Sequence, residues 1–277
     1  MNCFQLIKTV LDEAYAEIPG KPSERDDAIR AECKAMSAEY EELTTKGCLD
    51  YSNPARRFGY IFRYTTSHAN IVCDRISNSK PLRSLFDRDR VLVSCVGGGP
   101  GSDFLGILKY CETRKKCPDL ACYLMDRDPA WAESWSDVGD KVGTSMNLRT
   151  SFMSFDVTDP ANWQVFKKHF AADLFTLIFF VSEVYALRAK AEAYFDALFS
   201  SMKEGAILLY VDNNSSEFYG WFDDLVKKHG LNVLDSGSGR AQMPYDEEKS
   251  DLGEYAQNGR FGSPKLQSNI AWRIVQK

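Results

Sequence analysis

The chain has 277 residues, 44% of them apolar and 13% aromatic, enough to bury a full core in one large domain with an accessory segment. Its formal net charge of -5 and sequence pI near 5.4 argue against a phosphate-backbone partner unless basic side chains gather locally. No apolar run approaches the roughly 20 residues that cross a bilayer, and Asp12 and Glu13 fall where a signal peptide is uncharged, so a cytoplasmic protein with no membrane partner is expected.

Residues 2–18 set Phe4, Ile7, Val10, Leu11, Ala14, Tyr15 and Ile18 at helical spacing, which predicts a helix ending at the Pro-Gly-Lys-Pro turn. Ser23 is the expected cap of a second helix, with Asp26 close to its positive end, running to about Leu43. The next stretch is dense in aromatic residues and arginine and is broken at Asn53-Pro54; helical spacing resumes through Ile71, Val72 and Ile76. Residues 1–88 are therefore read as a helical unit and residues 89–277 as a second unit of different texture.

From Arg90 onward, short β-rich runs alternate with longer helical patterns, the sequence form of a parallel sheet covered by helices on both faces. The predicted strands are 91–96, 120–125, 150–155, 173–180, 206–212, 231–236 and 269–275. The fourth is apolar almost throughout, as a central strand must be. The last follows a long loop rather than a helix, so it is free to pair antiparallel.

Eight cysteines are scattered along the chain, and Cys73, Cys95 and Cys122 lie inside apolar stretches, so reduced core thiols are expected. Cys111, Cys117 and Cys122 lack a CxxC pair and a nearby histidine, and no metal site is expected. His169 follows two lysines at an expected helix end, where a cation suits the helix dipole. Trp131 and Trp135 are four apart and share a helix face, by default for packing.

The strongest motif follows the first β-run: Gly97-Gly98-Gly99-Pro100-Gly101, then an amphipathic helix opening near Ser102 or Asp103. Four glycines in five positions exceed what a plain turn requires and let the backbone approach a nucleotide closely. The second strand ends at Asp126, whose carboxylate can accept from two ribose hydroxyls, with Arg127 beside it. The third ends at Phe155, Asp156 and Val157; Asp156 can accept from an exocyclic amino group, or cap the following helix.

With these residues in place, the chain resembles the class I, Rossmann-like S-adenosylmethionine-dependent methyltransferases. Gly97, Gly99 and Gly101 match that family's glycine loop, Asp126 the acid ending its second strand, and Asp156 the acid or amide after its third. The resemblance covers residues 90–277 and implies an α/β fold, a seven-stranded mostly parallel sheet with an antiparallel last strand. It implies S-adenosylmethionine as cofactor and S-adenosylhomocysteine as product. More narrowly, GGGPGSDF and VDNNSSEFYGWFD are similar to a group of methyltransferases to which no substrate is assigned. One departure is Cys95, where many members carry an acid; Asp103 or the N-terminal segment then has to organise the methionine end.

In such a fold the methyl group points toward the loop after the fourth strand, which here supplies Ser182, Glu183 and Tyr185. Ser182 is expected on the cofactor, Glu183 as general base or ammonium partner, and Tyr185 as the phenol orienting a nucleophile. Asp212 and Asn213 end the fifth strand and, with Tyr60 and Tyr64 from a lid at residues 53–68, are expected at the substrate. Arg56, Arg57 and Arg63 of that lid can meet an anion, or be solvated on an amphipathic helix. The Asn-Pro-Pro-Tyr signature of amino-group methylation is missing. A small-molecule acceptor is favoured over RNA, the alternative, because the net charge is acidic and the basic groups are short and separated. Two other classes remain: a non-catalytic cofactor sensor, raised by Cys95, and a dinucleotide oxidoreductase, disfavoured because the third glycine of GxGxxG is absent.

Overall fold

The computed structural model describes every residue except Cys48, Cys117, Thr144 and Ser145. The spacing argument at Cys117 lies outside the described residues. Helices α1 (Cys3–Glu17), α2 (Pro22–Tyr40), α3 (Pro54–Tyr60), α4 (Thr66–Asn78) and α5 (Lys80–Leu85) come first. The second starts earlier than expected, at Pro22, because proline suits a first helical turn; Glu24 reaches back to accept from the Lys21 N–H at 2.8 Å, and Ser23 lies inside the helix. Asn53 caps α3, accepting from the Ala55 N–H, so Asn53-Pro54 begins a helix. A single π-turn, Ile61–Thr65, joins α3 to α4, and such turns gather at functional sites.

Seven strands follow: β1 (Arg90–Val96), β2 (Asp119–Asp126), β3 (Leu148–Ser154), β4 (Leu174–Ile178), β5 (Ile207–Asn213), β6 (Asn232–Gln242) and β7 (Gln267–Gln276). Between them run α6 (Ser102–Arg114), α7 (Trp131–Lys141), α8 (Pro160–Trp163), α9 (Val181–Val184), α10 (Arg188–Ser201) and α11 (Ser216–Lys228). The sheet order is β3-β2-β1-β4-β5-β7-β6; β1 to β5 are parallel, and β7 is antiparallel to both its neighbours. This is the expected Rossmann-like α/β arrangement, and β7 reverses because a loop with a 3₁₀ stretch, Lys249–Gly259, precedes it in place of a crossover helix.

One apolar cluster joins Phe4, Ile7, Phe58 and Val72 of the N-terminal helices to Val91, Val93 and Phe104 of the sheet layer; a second fills the other face around Phe175, Phe195 and Phe222. Trp131 and Trp135 are both buried. The described cysteines are thiols, and among the described residues no His, Cys, Asp and Glu cluster is arranged to hold a metal. No helix is long and apolar enough to cross a membrane. His169 departs from expectation: it is buried, its Nε2 lies 3.1 Å from the Tyr194 hydroxyl, and burial lowers its pKa to about 4, so it is a neutral packing group.

Candidate active site

The carboxyl ends of β1, β2, β3 and β4 converge on a narrow cleft, the edge at which open α/β sheets bind ligands. The glycine loop forms one wall. Gly97, Gly99 and Gly101 all have positive φ, at 66°, 49° and 82°. Their reasons differ. A Cβ on Gly97 would stand 2.0 Å from the Phe180 ring, and one on Gly101 would stand 2.2 Å from Trp135, so internal packing demands both. At Gly99 the nearest atom is 3.9 Å away, so there the missing side chain leaves open space. The Gly98 N–H donates to the Met125 carbonyl at 2.9 Å and ties the loop to β2.

Asp126 accepts from the Gly99 N–H and the Asp128 N–H, each at 3.1 Å, and so fixes the loop while keeping lone pairs for a ligand. Burial raises it to about 6. Met125, Phe155 and Val157 supply apolar wall, and Asp156 lines the cleft with one oxygen already accepting from the Thr158 N–H and hydroxyl. The other oxygen is the one available to an amino group. Leu49 and Tyr51, from the segment before α3, cover the cleft, and Arg127 donates to the Leu49 carbonyl at 2.9 Å. Tyr51 is wedged against Trp131 and Tyr60, with ring centres 5.0 and 5.2 Å away. The space left is about 40 Å³, room for a few water molecules.

Glu183, on α9, also lines this cleft and accepts from the Tyr51 hydroxyl at 3.2 Å. Burial, reinforced by Asp126, pushes it up to about 8. The Tyr51 hydroxyl lies 2.9 Å from that of Tyr40, which lines a second cavity of about 300 Å³. This second cavity has ring walls from Tyr40, Tyr64, His68, Phe179 and Phe218, with Ser182, Asn213 and Lys265 among them. Phe179 has φ 54°, a strained conformation for a bulky residue, and its ring stacks on His68 at 4.2 Å and 17°.

The expected site residues thus divide. Gly97, Asp126, Arg127, Phe155, Asp156, Val157 and Glu183 line the cleft, while Tyr64, Ser182 and Asn213 line the second cavity, so Ser182 stands away from the nucleotide side. Asp103 lies behind the glycine loop, accepting from Thr176 Oγ1 at 2.6 Å, with burial raising it to about 7. Asp212 is buried beneath the second cavity, accepting from the Ser182 and Asn213 N–H groups. Tyr60 lines neither space and supports Tyr51. Tyr185 is elsewhere as well: its ring packs on Phe218 and Trp221, with Arg188 over it. The arginines of residues 53–68 are taken by the protein itself: Arg56 by Glu32 and Glu39, Arg57 by the Tyr51 and Ser52 carbonyls, Arg63 by the Cys33 carbonyl and Ser37.

No protein-family model and no curated protein matches the chain. Solved structures resemble it at low identity. The C-terminal domain of precorrin-6Y C5,15-methyltransferase from Rhodobacter capsulatus aligns at 14% identity over 71% of this chain and 86% of that one, with a TM-score of 0.42. A Pyrococcus horikoshii protein proposed to be an RNA methyltransferase aligns at 13% identity over 88% and 98%, with a TM-score of 0.43. A DUF574 family protein from Streptomyces avermitilis aligns at 12% identity over 98% and 96%, with a TM-score of 0.41.

Proposed function

We propose that this chain is an S-adenosylmethionine-dependent methyltransferase acting on a small-molecule acceptor and releasing S-adenosylhomocysteine. The observation that carries the reading is the meeting of the glycine loop with Asp126 at one sheet edge, beside a second, ring-lined cavity. The cleft's donor set suits an adenosine: open space at Gly99, a carboxylate at the end of β2, apolar side chains after β2 and β3, and one oxygen of Asp156 to spare. Bound there, the cofactor supplies a methyl group on a sulfonium, transferred by in-line displacement.

The protein's own part is alignment, exclusion of water and management of one proton. Tyr51 and Leu49 close the cleft. Tyr40, Tyr51 and Glu183 form a continuous chain of hydrogen-bonding groups from the second cavity to the cleft. With Glu183 ionised, Tyr51 donates to it and Tyr40 donates to Tyr51, so a proton leaving the acceptor passes along the chain to the carboxylate. A base raised to about 8 is matched to that task near neutral pH.

A small acceptor is favoured over RNA because, among the described residues, each of the two spaces is lined by a single basic side chain, Arg127 and Lys265. Lys116 pairs with Asp87 at the far end of α6, and Arg56 is held between two glutamates. The test is transfer of label from S-adenosylmethionine into the metabolite and RNA fractions of a cell extract. Label in metabolites, lost in Asp126→Ala, is expected. Label in RNA alone contradicts the acceptor class, and cofactor binding without any product identifies a sensor.

A further inference from the structure

The second cavity holds two polar groups, on Lys265 and His68, that the described residues leave unmatched. Lys265 is half-buried, and its backbone N–H is fixed by the Arg63 carbonyl at 2.8 Å. Its ammonium lies 5.4 Å from the Phe179 ring centre and 5.7 Å from that of Tyr64. Among the described residues it has no carboxylate within ion-pair distance. Two further lining residues, His68 and Ser182, are 3% and 1% exposed; the His68 Nδ1 has no hydrogen-bond partner, while the Ser182 hydroxyl sits at the Asp212 carboxylate. Buried polar atoms are rarely left unpartnered, and in a cavity they point to a ligand that satisfies them.

The shape of the cavity narrows the ligand further. His68 stacks on Phe179 at 17° and on Tyr64 at 29°, a pile of rings built on the i, i+4 spacing of Tyr64 and His68 and on the strained backbone at Phe179. Flat walls facing a space of about 300 Å³ fit one or two fused rings. Glu41, the cavity's one lining carboxylate, is exposed at the mouth, where water screens it. The Asp212 carboxylate is directed to the Ser182 and Asn213 N–H groups.

We infer that the methyl acceptor is an aromatic carboxylate bearing a hydroxyl or amino nucleophile that takes the methyl group and gives up its proton, with its ring against the Phe179–His68 pair and its carboxylate held, not methylated, at Lys265. The inference takes the methyltransferase reading as its premise and adds the substrate class. Among the described residues, Lys265 provides the one cationic side chain lining the cavity, with Asp212 buried beneath it and already held by backbone N–H groups, and His68 reads the ring's polar substituents. Burial of Lys265, which holds it below the ordinary lysine range, is relieved by an anionic ligand.

The experiment is calorimetric and saturation-transfer NMR titration of the full chain with benzoate, 4-hydroxybenzoate, 2-naphthoate and indole-3-carboxylate, each against its neutral carboxamide. It is run with and without S-adenosylhomocysteine. At least one carboxylate is expected to bind about tenfold tighter than its amide. Lys265→Met should abolish that preference and Lys265→Arg should keep it, both folding as judged by circular dichroism. Asp126→Ala should lose the nucleotide and still bind the carboxylate. Amides binding as tightly as acids, or no acid binding at 1 mM while the nucleotide binds, overturns the substrate class and leaves the methyltransferase reading standing. Acid binding without nucleotide binding overturns the methyltransferase reading instead.

Discussion

Asp103 and Asp212 are buried behind the two cavities, while Asp126 and Glu183 stand in the cleft wall, and burial raises all four. For Glu183 the ordinary value of 4.5 becomes about 8 in the folded chain. Between those two values the folded state holds more protons than the unfolded one, so stability falls as pH rises through the window. Thermal unfolding of the ligand-free protein should therefore move to lower temperature from about pH 5 to pH 8. Glu183→Gln should flatten that slope, and an unchanged slope would contradict the burial. The glycines separate in the same way. Gly101→Ala drives a methyl group against Trp135 at positive φ and should cost about 1–3 kcal/mol in urea unfolding. Gly99→Ala meets nothing nearer than 3.9 Å, so beyond about 1 kcal/mol of backbone strain its effect should fall on cofactor affinity.

At the scale of elements, the decisive piece is the segment carrying Leu49 and Tyr51. Its packing leaves the cleft too small for a nucleoside, so the cofactor enters only when these side chains withdraw. Tyr51→Ala should raise the association rate of S-adenosylmethionine in stopped-flow measurements; an unchanged rate would show that entry does not pass this segment. The sequence pointed to a lid at residues 53–68 but not to Leu49 and Tyr51 just before it, nor to Tyr40 and Lys265, which meet only through the fold. The strands were legible. Apolar runs at 91–96 and 120–125 and a polar-flanked Asp126 are local signals, and the loop before β7 announced its reversal. Tyr185 misled for a physical reason: two residues beyond Glu183 on a helical turn it faces the opposite side and packs on α11. Phe179 carried no signal at all, since a positive φ at the end of an apolar strand is imposed by the packing around it.

Over the whole molecule, the N-terminal helices and the sheet layer act as one body because their apolar residues share a cluster and a buried polar network crosses between them. Lys109 of α6 donates to Asn70 Oδ1 of α4 at 2.6 Å and pairs with Glu247, which also accepts from Asn70 and from the Cys3 N–H. Such a network stays in place only when every member is satisfied, and here it holds α4, and with it His68, at a set position beside the cleft. The helices thus contribute Tyr40, Tyr64 and His68 to a cavity whose other wall comes from β4, β5 and the loop before β7. The central claim is that the cleft beside this cavity binds S-adenosylmethionine. Calorimetric titration of the cofactor, with NADH as control, into the wild-type chain and Asp126→Ala tests it most directly. Saturable binding of S-adenosylmethionine alone, weakened at least tenfold by the loss of a carboxylate hydrogen-bonded to the ribose, is the predicted result. Preference for NADH, or no binding of either, would contradict the account.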